Sequence, residues 1–81
     1  MHRGYTITTN DLEKVLCLTA GHDDFVLSSI TSTNVLNKAL CVQDLTEAKS
    51  ILHRLMEMDC YKDLVSDCEV NNIARLYNKF Y

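Results

Sequence analysis

The sequence has no proline and only two glycines, Gly4 and Gly21. Turn-dense β-sandwiches use both residue types at many tight turns, so their scarcity disfavours such folds and suits helices joined by short polar links. Cations are few and dispersed: the eight Lys and Arg occur singly, the net charge is −3, and no basic stripe is visible that would hold a nucleic-acid backbone. Long apolar runs are missing as well. The longest uncharged stretch, residues 25–37, is too short and too polar to cross a membrane, and the N-terminus lacks the basic-then-apolar order of a signal peptide. The expectation is a soluble, cytoplasmic protein with no membrane contact, for which nucleic acid is a disfavoured partner.

Metal and catalytic signatures are absent too. Cys17, Cys41, Cys60 and Cys68 form no C-x-x-C pair, and no His pair stands one helical turn apart, although zinc sites usually take ligands two at a time at such spacings. Two isolated glycines cannot build a phosphate-binding loop. In a reducing compartment the cysteines are expected to be free thiols, with Cys17 and Cys41 acting as small hydrophobes beside apolar neighbours. No metal, cofactor or enzymatic activity is expected.

The chain does have apolar residues, 47% of its 81 positions. This is enough for one small domain over residues 1–81, which buries only about 60% of the surface its unfolded form exposes. A chain of that size gains from covering its remaining apolar surface with a second copy, so a homodimer is expected.

The strongest local signal spans residues 44–58. Leu45, Ala48, Ile51, Leu52, Leu55, Met56 and Met58 share one helical face, and Glu47, Lys49, Ser50, His53 and Arg54 share the other. Asp44 and Glu47 stand at capping-box spacing. The same spacing recurs at Asn10 and Glu13, ahead of Leu12, Val15, Leu16 and Thr19, with Gly21 as the C-terminal stop, and again at Ser66 and Glu69. From Ser66 a last helix is expected, with Val70, Ile73, Ala74, Tyr77, Phe80 and Tyr81 along one stripe. Shorter helices are expected over residues 23–30, after His22-Asp23-Asp24, and over residues 35–42. Tyr5 and Ile7 alternate with Thr6 and Thr8, but no partner strand is visible in the chain, and a frayed arm is the expectation. The predicted fold is all-α: a bundle of four to five short helices, with or without a short N-terminal extended arm, and about 60 to 70% helical against the one-third usual in globular proteins.

The most informative surface signal is acidic. Glu57, Asp59, Asp63, Asp67 and Glu69 face a single Lys62 over thirteen residues. Such a run is either a solvated face or a negative patch that steers a partner with a basic surface. Together with the C-terminal aromatics Tyr77, Phe80 and Tyr81, it makes these eight residues the candidate partner-binding surface. Helical phasing puts Cys68 in the first turn after Ser66, where helix N–H groups favour a thiolate; it is a candidate reactive thiol, opposed by its neighbours Asp67 and Glu69. The functional expectation is a small acidic regulator, adaptor or inhibitor that binds another protein and catalyses nothing. The alternative is a helix-turn-helix-like DNA-binding regulator built on residues 10–30 around Gly21, a weak match without a basic recognition helix.

Overall fold

The computed structural model describes residues 3–19, 21 and 24–80. Its organising element is an antiparallel sheet of four strands: β1 (Tyr5–Thr9), β2 (Lys14–Leu18), β3 (Phe25–Ser29) and β4 (Cys68–Asn72), in the order β3-β2-β1-β4. Four of the five β1 residues are β-branched, a composition that suits a pleated surface. The partner that the sequence does not reveal is β4, more than sixty residues away, paired with β1 in the register Thr6↔Asn71 and Thr8↔Glu69.

Helices lie on both faces. Across one face pack α1 (Thr33–Asn37) and α3 (Ile73–Tyr77), closing a core of Val15, Cys17, Leu36, Ile73, Leu76 and Tyr77. Across the other pack α2 (Leu45–Glu57) and the irregular segment after it, closing a core of Ile7, Leu16, Leu55, Val65 and Cys68, with Ile51, Leu52, Tyr61 and Leu64 at its margin.

This α/β fold, with 35% helix and 29% strand among the described residues, overturns the all-α bundle expected from sequence. Residues 14–18 are β2, not part of a helix over residues 10–20. Both faces of β2 are covered, so Val15, Leu16 and Cys17 are all buried, and a strand buried on both sides loses the alternation that would identify it. The supposed capping box at Asn10 and Glu13 is a hairpin turn. Asp11 Oδ1 accepts the Thr9 hydroxyl at 2.6 Å and the Glu13 N–H at 3.0 Å, while Leu12 takes φ +62°. Residues 25–29 are β3 rather than the core of a helix. The Ser66 and Glu69 spacing precedes no helix either: β4 intervenes, and α3 starts at its own cap, where Asn72 Oδ1 accepts the Ala74 N–H at 3.0 Å. The expected helix over residues 35–42 shrinks to the single turn and a half of α1.

The central helix is found where expected. Asp44 caps α2 through a bond from the Thr46 N–H at 2.9 Å, with Glu47 in its first turn. Ala48 and Leu55 are buried and Ile51 and Leu52 half-buried, whereas Leu45, Met56 and Met58 are exposed. Among the described residues no helix is long and apolar enough to cross a membrane.

One connection passes through the sheet. β1 and β2 pair at Thr8↔Val15 and then diverge, and residues 39–42 fill the gap. The Leu40 N–H donates to Leu16 O at 2.9 Å on one side, and Val42 exchanges both backbone bonds with Tyr5 on the other, at 2.7 and 3.0 Å. Ala39 packs with the α1/α3 core and Leu40 with the α2 core, so the chain changes faces between adjacent residues. The crossing satisfies backbone groups that the splayed strands would otherwise leave buried and unpaired.

Candidate functional site

β1 and β2 are interior strands, and β3 and β4 are the edges. On β3, alternate residues turn their backbone groups away from β2. Of these, Phe25 donates its N–H to its neighbour Asp24 Oδ1 at 2.8 Å, and Ser29 O accepts from the Thr31 N–H at 3.0 Å. That edge is closed by its own chain at both ends. β4 is different. The Ile73 N–H donates to Gly4 O at 3.0 Å and the Asn10 N–H to Asp67 O at 2.8 Å. In an antiparallel ladder bonded residues recur at every second position, so Asn71 and Glu69 turn their backbone toward β1 and Val70 turns its own outward. The Val70 N–H and C=O have no partner among the described residues. An unpaired edge of this kind is a template for another strand.

All five candidate acids are exposed, and two of them, Asp67 and Glu69, stand at this edge. Glu57 ends α2, while Asp59 and Asp63 lie on the segment whose Tyr61, Leu64 and Val65 pack with the α2 core. Glu69 stands on β4 opposite Thr8, on the same face as Thr6, Asn71 and α3. Tyr61, between Asp59 and Asp63, reaches Asp24 and Phe25 at the opposite edge of the sheet, so the acids at the β4 edge are Asp67 and Glu69. Glu57 meets His53 Nε2 at 3.3 Å and Asp59 meets Lys62 Nζ at 3.7 Å; among the described residues Asp63, Asp67 and Glu69 have no ion pair.

The aromatic and thiol candidates are placed elsewhere. Tyr77 is buried and its hydroxyl donates to Asn37 Oδ1 at 2.6 Å, tying α3 to α1. Phe80 is partly exposed, and Tyr81, with His22 and Asp23, lies outside the described residues. Cys68 is buried in the α2 core, not on the polar side of a helix. Burial pushes its thiol above the ordinary value, with the Asp67 charge acting in the same direction. Cys17 is raised by burial too, although a Ser28 hydrogen bond and the Lys38 charge oppose the shift. Among the described residues no group of His, Cys, Asp and Glu is disposed to hold a metal ion.

Two features escaped the sequence. The free edge depends on long-range pairing and has no local signal. The second is a polar seam beneath α3, where Asn71 Nδ2 donates to Thr8 Oγ1 at 2.7 Å and Arg75 Nη1 donates to Asn71 Oδ1 at 3.1 Å. Thr6 Oγ1 beside it is buried without a hydrogen-bond partner among the described residues. The threonine alternation of β1 was the one clue that this face would be polar. The helices on either side of Gly21, on which a DNA-binding reading rested, are β2 and β3. Compared with known proteins, the chain matches no family model, no curated protein and no solved structure.

Proposed function

We propose that this chain is a small protein-binding regulator, adaptor or inhibitor, without catalysis of its own, that receives an extended basic segment of its partner along the outer edge of β4. The observation that carries this reading is the unpaired Val70 backbone beside the exposed acids Asp67 and Glu69, a charge that the equally unpaired Leu27 of β3 does not have next to it. An added strand gains main-chain hydrogen bonds, and its side chains alternate between the faces. Lys or Arg on one face of that strand would meet Glu69, with Asp67 at the strand's end. The acids would act chiefly on association rate, through steering that salt screens over about 8 to 10 Å.

Of the stripe expected on the last helix, Ile73, Leu76 and Tyr77 pack on α1 and the sheet while Phe80 is exposed, so a homodimer would draw on Phe80 or the exposed Leu45, Met56 and Met58. Pairing of two β4 edges would bring Asp67 and Glu69 of both copies together, and like charges across paired strands are destabilising.

Affinity capture from the source cell with wild-type protein, Val70→Pro and the double variant Asp67→Lys/Glu69→Lys tests the proposal. Proline at an outward edge position removes one outward donor and no internal ladder bond. The expected result is a partner with a basic extended segment, captured by wild type and lost by both variants while thermal melts confirm that they remain folded. Equal capture by all three folded proteins would overturn the reading.

A further inference from the structure

On the face away from α2, α1 is only five residues long and leaves part of the sheet uncovered at the β2–β3 end. The result is a cleft of about 220 Å³ lined by Cys17, Leu18, Val26, Ser28, Asn34, Val35 and Lys38. Val26 makes the gap visible: it pairs with Cys17 and shares its sheet face, yet it is 39% exposed where Cys17 is 4% exposed. Val15, two pairs along and on the same face, is fully covered.

The chemistry of the lining is one-sided. Leu18, Val26 and Val35 supply apolar surface, and the Ser28 hydroxyl, the Asn34 amide and the Lys38 ammonium supply polar groups. Among the described residues Lys38, the C-terminal cap of α1, is the only charged side chain of the lining, and in the sequence it is the only one from residue 25 to residue 43. It has no ion pair among the described residues. Its charge acts on the Cys17 thiol, which places cation and cleft floor within electrostatic reach of each other.

We infer that this cleft is a binding site for a small amphiphilic monoanion, a carboxylate on a short hydrocarbon body, with the chain against Val26 and Val35 and the carboxylate at Lys38 and Asn34. A concave, mostly apolar site with a few convergent polar groups is the usual form of a small-molecule pocket. The cleft is small, so the ligand is small: hexanoate, with about eight non-hydrogen atoms, is a suitable probe, and a dissociation constant on the order of millimolar follows from ordinary ligand efficiencies. The site lies on the face away from α2 and stands independently of binding along β4.

Cys17 at the cleft floor provides the readout. Alkylation of wild-type protein by iodoacetamide, resolved by peptide mass spectrometry, is followed against hexanoate, hexylammonium and hexanol, and two-dimensional amide NMR gives an independent measurement that needs no thiol reaction. The expected result is saturable protection of Cys17 by hexanoate of about five-fold or more at several times the dissociation constant, since occupancy sets the fraction left open. Cys41, Cys60 and Cys68 should be unaffected. Amide shifts should fall on residues of the lining, hexylammonium should be inert, and Lys38→Met should abolish the hexanoate effects. Equal effects of hexanol and hexanoate, retention of the hexanoate effects by Lys38→Met, or shifts away from the cleft would each overturn the assignment.

Discussion

A side chain on Gly4 would collide with the crossing segment: a Cβ there would lie 2.7 Å from Val42 O and 2.8 Å from Cys41 Sγ. Gly4 adopts φ +111°, outside the range of ordinary L-residues, and presents its carbonyl to the Ile73 N–H. One residue without a side chain thus lets β1 hold β4 on one side and residues 39–42 on the other. Gly4→Ala is expected to destabilise by more than about 1 kcal/mol, because the incompatible backbone conformation and the backbone clash add. Denaturant melts measure it, and a neutral result would mean that the passage through the sheet is looser than described.

Leu55→Ala removes a buried side chain from the α2 core, where Leu55 is 3% exposed, and is expected to cost about 2 to 5 kcal/mol. Leu52→Ala, at the half-buried margin, should cost less. His53→Ala should change stability by less than about 0.5 kcal/mol, since its ion pair with Glu57 lies on the solvated surface.

Tyr61 donates its hydroxyl to Asp24 Oδ1 and sets its ring edge-on to Phe25, with centroids 5.6 Å apart. The bond from Tyr61, followed by that from the Phe25 N–H, holds the Asp24 carboxyl below its ordinary value of 3.8 and pushes the Tyr61 phenol up. Because the folded value of Asp24 is depressed, its contribution to stability is present above pH 3.8 and is lost as pH falls through the lowered value. Tyr61→Phe keeps the ring contact and removes the donor. Carbon-detected NMR titration should then find Asp24 moved up toward its ordinary value; an unchanged titration would remove the hydroxyl as the cause.

The four thiols should separate by reactivity. Cys17 and Cys68 are buried with raised values, whereas Cys41 and Cys60 are exposed. Thiolate is the reactive form, so at pH 8 iodoacetamide should label Cys41 and Cys60 first. A raised folded value also means that the stabilisation from neutral Cys17 and Cys68 is complete below the ordinary value of 9.0 and is lost as pH rises through the folded values. Thermal melts should therefore fall at alkaline pH, and Cys68→Ala should lessen the fall. An equally steep fall in Cys17→Ala/Cys68→Ala would assign it to other groups.

The sequence by itself determined α2 and its neighbourhood. Asp44 and the stripe through Ala48, Ile51 and Leu55 are local features, and a helix closes its hydrogen bonds within a few residues, so its cap and periodicity are written where it forms. The exposed acids from Glu57 to Glu69 were equally legible, since exposure of carboxylates follows from their hydration cost. Only the tertiary structure decided the sheet. Asp11 could have closed a helix start or a hairpin, and Val15-Leu16-Cys17 suits either a helix or a strand covered on both faces; the choice fell to pairing with β1 and β3 and to cover from both helical layers. The stripe from Val70 to Tyr77 was likewise divided at Asn72 because Thr6 and Thr8, over sixty residues earlier, offered a ladder to residues 68–72. The candidate site follows the same division: its charges are local and were visible, whereas the free edge of β4 and the cleft beside α1 exist only because distant segments meet, and strand pairing carries no local trace of its partner.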